Sequence, residues 1–257
     1  MLEPRMIVVD MDRSLLKSDG SIAEVSLNAL SACRERGMRI VFATGRPMRK
    51  TPEIRAAFAW DGWCHHNGGT VDAGPRRIAT HQIPIAQART LCASLAAAFP
   101  DLPLTLETND ILYADRPLDL ATELTVLPSF DETPNIDADK IILDMPMWAI
   151  YDRVLTMLPD NLYAEVCDDK LVLIMPNGAR KENGVTALAE AFGIAMADVL
   201  AFGDDFNDVG MVRTCGYGVA MANATDAVKA AADCMCGHHD ENGIAEFIYA
   251  NVLHPTP

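Results

Sequence analysis

Two aspartates one residue apart, Asp10 and Asp12, end the apolar run Met6-Ile7-Val8-Val9 near the start of the chain. Carboxylates this close repel each other unless a cation or a donor lies between them. Taken alone, a solvated acidic turn at a strand end is the simpler reading. A second stretch changes the weighing. Gly203-Asp204-Asp205-Phe206-Asn207-Asp208 packs three carboxylates and one amide into five residues, directly after the apolar run Val199-Leu200-Ala201-Phe202. A helix cap needs one such residue, whereas a hard ion such as Mg²⁺ takes several carboxylates and keeps some waters. Asp204 and Asp208 are four apart and share a face if a helix starts there. Between the two acidic stretches, Thr44-Gly45-Arg46-Pro47 follows a further apolar strand. Such a corner offers a hydroxyl and free backbone N–H groups to an anion; a plain strand-to-helix turn would also use Thr-Gly.

Together these pieces specify a chemistry. Asp10, Asp12, Asp204 and Asp208 gathered in one place demand a metal. The metal draws in a phosphate, whose oxygens Thr44 and the backbone amides at Gly45 can hold, and Lys181 neutralises the remaining charge. A carboxylate in line with phosphorus is a competent nucleophile, giving an aspartyl-phosphate. A second carboxylate protonates the leaving oxygen and then activates water. Phosphoryl transfer of this kind rests on positioning and charge.

The elements that must position these residues follow from periodicity. Met6–Val9 reads as a buried strand. Ser21-Ile22-Ala23-Glu24 is spaced as a capping box opening a helix that Gly37 stops. Met38–Ala43 is a second strand, and Pro47 suits the first turn of a helix running to about Trp60. Trp63–His66 is a third strand, ending in Asn67-Gly68-Gly69. From His81 to Pro176 the texture differs: a helix over Ile85–Phe99, strands Leu102–Thr108 and Ile111–Ala114 joined by a tight Asn109-Asp110 turn, and a polar loop over Leu127–Asp139. A strand Lys140–Met145, a helix Met147–Leu158, and strands Asn161–Val166 and Lys170–Met175 around Asp168-Asp169 complete it. Hairpins with few helices between them predict an antiparallel α+β unit. Strand–helix alternation then resumes: a helix from Lys181 to Gly193, strands Val199–Phe202, Tyr217–Met221 and Cys234–Cys236, and helices Ala224–Ala232 and Ile244–Asn251. The expected fold is α/β, a doubly wound, Rossmann-like parallel sheet (residues 1–80 and 177–257) with an inserted α+β cap (81–176). Ligands of such sheets sit beyond the carboxyl ends of the strands, where Asp10, Thr44 and Asp204 all fall.

Composition narrows the partners. The net charge of −15 argues against nucleic acid and against an anionic membrane. No apolar run approaches the roughly 18–20 residues of a membrane span, and no signal-peptide pattern opens the chain. Seven scattered cysteines suggest reduced thiols in a cytoplasmic protein. Cys234, Cys236, His238 and His239 lie close in sequence, but their spacing fits none of the usual structural zinc patterns. His65, His66, Trp60 and Trp63 read most simply as packing residues.

The motifs resemble those of the haloacid dehalogenase superfamily of phosphatases, in particular its Cof-type branch with a large cap after the third core strand. Asp10-Met11-Asp12-Arg13-Ser14 matches Asp-x-Asp-x-Thr/Ser, and Thr44-Gly45-Arg46 matches the second motif. Lys181 follows a Pro-containing strand end, Gly203–Asp208 matches Gly-Asp-x-x-Asn-Asp, and Asn67-Gly68 and Ala220-Met221-Ala222-Asn223-Ala224 match two branch-specific segments. The resemblance implies Asp10 as nucleophile and Mg²⁺ ligand, and Asp12 as general acid/base with its backbone carbonyl on the metal. It further implies Thr44 and Lys181 on the phosphoryl group, Asp204 and Asp208 on the metal, and Asn207 orienting phosphate; Arg46 and Asn67 become candidates for substrate contact. The implied reaction is Mg²⁺-dependent hydrolysis of a small phosphorylated metabolite, a sugar phosphate or phosphorylated cofactor, by a monomer or homodimer. A phosphosugar mutase is the same-chemistry alternative, and a non-catalytic phospho-ligand or receiver-type protein the more distant one. Arg13 and Glu182 stand where the branch usually carries glycine.

Overall fold

The computed structural model describes residues 2–118, 124–144, 149–167 and 171–253. The chain divides into two compact units, Met1–Thr80 with Arg180–Pro257, and His81–Ala179. The first unit begins with β1 (Met6–Asp10), α1 (Glu24–Glu35), β2 (Arg39–Ala43), α2 (Pro52–Ala57), β3 (Gly62–His65), β4 (Thr70–Ala73) and β5 (Arg76–Thr80). The second unit carries α3 (Ile85–Ala98), β6 (Leu104–Thr108), β7 (Ile111–Ala114), β8 (Thr125–Val126), β9 (Lys140–Asp144), α4 (Ala149–Leu155), β10 (Leu162–Cys167) and β11 (Leu171–Pro176). The chain then returns to the first unit with α5 (Lys181–Phe192), β12 (Val199–Gly203), α6 (Val209–Thr214), β13 (Tyr217–Ala220), α7 (Asp226–Ala231), β14 (Cys234–Met235) and α8 (Gly243–Asn251).

Strands of the first unit are ordered β14-β13-β12-β1-β2-β3-β4-β5, parallel from β14 to β3. Alternation along the central strands buries both faces. Ile7, Val9, Ile40, Phe42, Leu200 and Phe202 face one core with Leu30 of α1 and Ile248 of α8. Met6, Val8, Val41, Ala43, Val199 and Ala201 face the other, against Val185 and Leu188 of α5. Asp10 continues the second series. It therefore leaves β1 on the side of α5, the helix that Lys181 opens.

The second unit holds its own sheet, β10-β11-β9-β6-β7-β8, antiparallel except where β8 joins β7. Leu104, Leu106, Ile141, Leu143, Val172 and Ile174 pack one face of it onto Leu91 and Leu95 of α3 and Val154 of α4. Asn109 and Asp110 both take left-handed backbone, φ 51° and 63°, as a two-residue hairpin turn requires.

Several elements differ from the sequence-based expectation, each for a local reason. Ser21 does not cap α1: its N–H and hydroxyl both go to Asp19, at 2.9 and 2.6 Å, and Ala23 occupies the cap position. Pro47 precedes a short 3₁₀ turn, Met48–Lys50, and Pro52 is the proline in the first turn of α2. That helix stops at Ala57, which frees Trp60 to pack against Phe42 and Trp63, with ring centroids 5.1 and 5.6 Å away. Residues 70–80, which periodicity did not single out, form the antiparallel edge pair β4–β5. The expected Met147 helix start and the Asp168-Asp169 turn lie outside the described residues.

Candidate active site

The carboxyl ends of the neighbouring parallel strands β1 and β12 converge. One carboxylate oxygen from each of Asp10, Asp204 and Asp208 lies within 4.8 Å of the others, and all three residues are buried. Lys181, at the first position of α5, donates to Asp10 Oδ1 at 2.6 Å and to Asp208 Oδ1 at 2.7 Å. The backbone reason for its reach lies in Asn67-Gly68: Gly68 has φ +97°, and a Cβ there would sit 2.4 Å from the carbonyl oxygen of Arg180. Only glycine lets this turn approach the start of α5 so closely.

Asp208 is anchored from three directions. Its Oδ2 accepts the N–H groups of Asp204 (3.0 Å) and Asp205 (3.1 Å), while Oδ1 takes Lys181. Gly203 is needed for this fold-back, since a Cβ on it would lie 2.5 Å from Cβ of Asp208. Asp205 is the cap residue, its carboxylate accepting from Phe206 N–H at 2.8 Å. Asp204 is held on one oxygen only. Ser14 donates to Oδ1 at 3.1 Å, whereas buried Oδ2 accepts no hydrogen bond and faces Arg13 Nε at 3.7 Å.

The electrostatics follow from burial and crowding. Burial, then Asp208, push the Asp10 carboxyl well above its usual range, against the pull of Lys181. Burial and Asp208 likewise raise Asp204 to about 7, against Lys181, Ser14 and Arg13. Burial opposes the charge on Lys181, but Asp10 and Asp208 outweigh it and hold the ammonium well above its ordinary value. Three carboxylates face one ammonium and, beside Asp204, the half-exposed Arg13 guanidinium, so full ionisation of the triad leaves the buried site short of positive charge.

Asp12 is placed differently from the expectation. Strand β1 ends at Asp10, and the next residues form a wide turn in which Arg13 is left-handed, φ 58°. Strand alternation therefore does not carry past Asp10, and the Asp12 carboxylate is no member of the acidic triad. Arg46 grips it instead with Nε (2.9 Å to Oδ2) and a second guanidinium nitrogen on Oδ1. Thr44 is fully buried; its Oγ1 accepts Arg46 N–H at 3.0 Å, and its own O–H has no acceptor among the described residues. Gly45 lies against Asn67, whose N–H donates to the Thr44 carbonyl at 2.9 Å. Asn207 Nδ2 donates to Asn67 Oδ1 at 3.0 Å, leaving Asn67 Nδ2 and Asn207 Oδ1 buried without partners.

Residues 7–248 match the sequence model of the haloacid dehalogenase-like hydrolase family. The chain belongs to that family. YxeH of Bacillus subtilis (strain 168), named provisionally as a phosphatase, is 30% identical over 97% of this chain and 98% of its own length. The pyridoxal phosphate phosphatase YbhA of Escherichia coli (strain K12) is 28% identical over 97% of this chain and 99% of its own. The solved structure of the subclass IIB sugar phosphatase BT4131 superposes with a TM-score of 0.84 at 24% identity, covering 94% of this chain and 96% of that one. The protein is accordingly a haloacid dehalogenase-type phosphatase, a phosphoric monoester hydrolase, with the α/β core and separate cap sheet of subclass IIB.

The family implies a divalent metal, and the residues present suit one. The donors are all carboxylate oxygens, the ligand set of a hard ion, and they carry uncompensated charge. Both oxygens of Asp208 already accept protein donors, whereas Oδ2 of Asp10 and Oδ2 of Asp204 accept none among the described residues. Two residues escaped sequence reasoning. Ser14 orients Asp204, and its signal was present as the last position of the first motif. Asn223, of the Ala-Met-x-Asn-Ala segment, donates to the Arg13 carbonyl at 2.8 Å and so braces the left-handed turn. That turn explains why glycine is usual where Arg13 stands. Glu182, the other departure, packs its carboxylate against Gly210 of α6.

Proposed function

We propose that the chain hydrolyses a small phosphomonoester, a sugar phosphate or a phosphorylated cofactor, through an aspartyl-phosphate on Asp10. The observation that carries this reading is the buried triad of Asp10, Asp204 and Asp208 against a single Lys181. Asp10, Asp204 and Asp208, with the Asp12 carbonyl, would hold Mg²⁺, which would supply positive charge to offset the phosphoryl oxygens. Thr44, through its uncommitted O–H, and Lys181 bind those oxygens, and backbone N–H of Gly45 and the Asn67 and Asn207 amides orient them.

A carboxylate oxygen of Asp10 attacks phosphorus and the ester P–O bond breaks. The leaving oxygen takes a proton from Asp12, which Arg46 positions and which carries that proton once substrate loosens the ion pair. Asp12, now a carboxylate, removes a proton from water; the hydroxide attacks phosphorus and the Asp10–phosphorus bond breaks. Inorganic phosphate leaves, and Asp12 is again protonated. The unit His81–Ala179, with a hydrophobic core of its own, selects the leaving group.

Asp10→Asn is the decisive variant. Turnover of an aryl phosphate with Mg²⁺ should vanish while the circular dichroism spectrum and melting temperature stay near those of the parent. Full-rate hydrolysis by this variant would end the proposal. A panel including pyridoxal phosphate, 5-amino-6-(5-phospho-D-ribitylamino)uracil and sugar phosphates, the first two being named for relatives, then ranks substrates by kcat/KM.

A further inference from the structure

Near the C-terminus the fold rearranges a group whose sequence spacing matched no metal pattern. The cysteines withdraw from it: Cys236 Sγ lies 3.3 Å from Met221 Sδ. The histidines instead gather with Asp240, one ligand atom from each of His238, His239 and Asp240 falling within 4.8 Å of the others. Asp240 Oδ2 is 3.6 Å from His239 Nε2 and 3.8 Å from His238 Nδ1. Ser18, from the segment after the first aspartate motif, closes the group. Its Oγ lies 3.2 Å from His239 Nε2 and 2.7 Å from Asp240 Oδ2, and its N–H donates to Asp240 Oδ1 at 2.8 Å.

We propose that His238, His239 and Asp240, with the Ser18 hydroxyl as fourth donor, form a second cation site, of the zinc class, sharing no residue with the acidic triad. Two imidazole nitrogens and a carboxylate select a borderline ion over Mg²⁺. Donors about 2.0–2.1 Å from a tetrahedral ion stand roughly 3.3–3.4 Å apart, so the two histidine–Asp240 gaps must close by a few tenths of an ångström and the 2.7 Å Ser18–Asp240 contact must open by about 0.6 Å. Capping explains only part of the group. His238 Nδ1 accepts Asp240 N–H at 3.2 Å as the cap of the 3₁₀ turn His239–Glu241, a hydrogen bond that an ion on Nδ1 would replace. It does not account for His239, buried with Nδ1 unpartnered and Nε2 turned to Ser18 and Asp240.

The missing partner on Nδ1 also sets the strength. Ligating histidines usually donate their other ring N–H, and loss of that bond weakens binding about 10–100-fold, so binding is expected to be weaker than at a fully supported site. A bound ion would clamp the Ser18 segment to the turn whose His239 N–H donates to Asn223 Oδ1 at 3.2 Å; Asn223 in turn braces Arg13.

The test is a Co²⁺ titration of the full chain with Mg²⁺ in excess, read by visible absorption, since cobalt in a four-coordinate nitrogen–oxygen site absorbs far more strongly than in an all-oxygen octahedral one. Expected is one strongly absorbing Co²⁺ per chain, displaced by Zn²⁺. Its affinity should fall at least about tenfold in His238→Ala and in Asp240→Asn, both at partly exposed side chains, and hold in Cys234→Ser/Cys236→Ser. The proposal fails if that absorbing species is absent, if it survives undiminished in His238→Ala, or if a sulfur-to-cobalt band appears and is lost with the cysteines. Should Asp240→Asn not fold, His238→Ala still decides the matter.

Discussion

Among the described residues each unit buries one lysine among carboxylates, and the two settings differ in what surrounds it. In the second unit Lys140 on β9 lies 3.3 Å from Glu107 on β6, with side chains 5% and 1% exposed. The neighbouring Asp139, raised mainly by burial, is satisfied by Gln82, which donates at 2.8 Å. In the first unit Lys181 serves both Asp10 and Asp208, and Asp204 beside them keeps an oxygen with no hydrogen bond. One cluster finds its donors within the protein and can serve architecture. The other is left short of positive charge, as a site awaiting an ion and a phosphate must be.

Removing each lysine sharpens this contrast most. Lys181→Met strands Asp10 and Asp208, so turnover should disappear and stability fall by about 3–5 kcal/mol, the usual result of breaking a buried ion pair. Urea denaturation measures the second effect, and a loss under about 1 kcal/mol would mean that the acidic cluster is not held by this contact. Lys140→Met alone should destabilise comparably, but Lys140→Met with Glu107→Leu should recover most of the loss, since apolar replacement of a whole buried pair is often neutral. No such rescue is expected for Lys181→Met with Asp10→Leu, because Asp204 and Asp208 remain.

Metal removal separates the units next. Asp204 titrates near 7 in the fold against an ordinary 3.8, and Asp10 is raised too. A raised carboxyl binds its proton more tightly when folded, so its contribution is complete below pH 4 and is lost as pH climbs toward 7. Chelated protein should therefore melt progressively lower across that window. Added Mg²⁺ should raise the melting temperature most at the alkaline end, by roughly 2–4 °C per kcal/mol for a domain of this size. A Mg²⁺ shift equal at pH 5 and pH 8 would contradict the charge-deficit account.

Arg46 tests a smaller contribution. Arg46→Lys keeps the charge but loses the two-pronged grip on Asp12. General acid–base catalysis contributes typically 10²–10⁴-fold, and a loosened acid should lower kcat by about tenfold, with less change in KM. If KM alone rises, Arg46 is a substrate contact and Asp12 is positioned by something else.

How much of this was legible in the sequence varies with the range of the forces involved. Strand runs such as Met6–Val9 and Val199–Phe202 declare themselves, since burial on both faces demands unbroken apolar stretches. The approach of Asp10 to Asp204 follows from topology, because neighbouring parallel strands present their carboxyl ends together, whereas Asp208 joins them through the local fold-back after β12. What the sequence concealed depended on single backbone choices. The left-handed Arg13 carries Asp12 out of strand alternation and over to Arg46. Ser21 prefers Asp19 to the helix end, and Trp60 draws the chain out of α2 into the aromatic core. The Ser18–His239–Asp240 group was equally hidden, as its members stand more than two hundred residues apart.

Arg13 offers the smallest effect and the finest discrimination. A non-glycine residue at positive φ is strained by about 1 kcal/mol or more, so Arg13→Gly relieves that strain. It also increases the freedom of the unfolded chain and removes the partly exposed contact with Asp204, itself worth about 0–1 kcal/mol. These contributions nearly cancel, and the melting temperature should move by no more than about 2 °C. The carboxyl of Asp204 should not be indifferent, because the guanidinium helps to hold it ionised. Arg13→Gly should therefore weaken Mg²⁺ binding at pH 6 more than at pH 8, where Asp204 is ionised with or without its neighbour. Equal Mg²⁺ affinity for parent and variant at both pH values would mean that Arg13 acts on the turn and not on the charge.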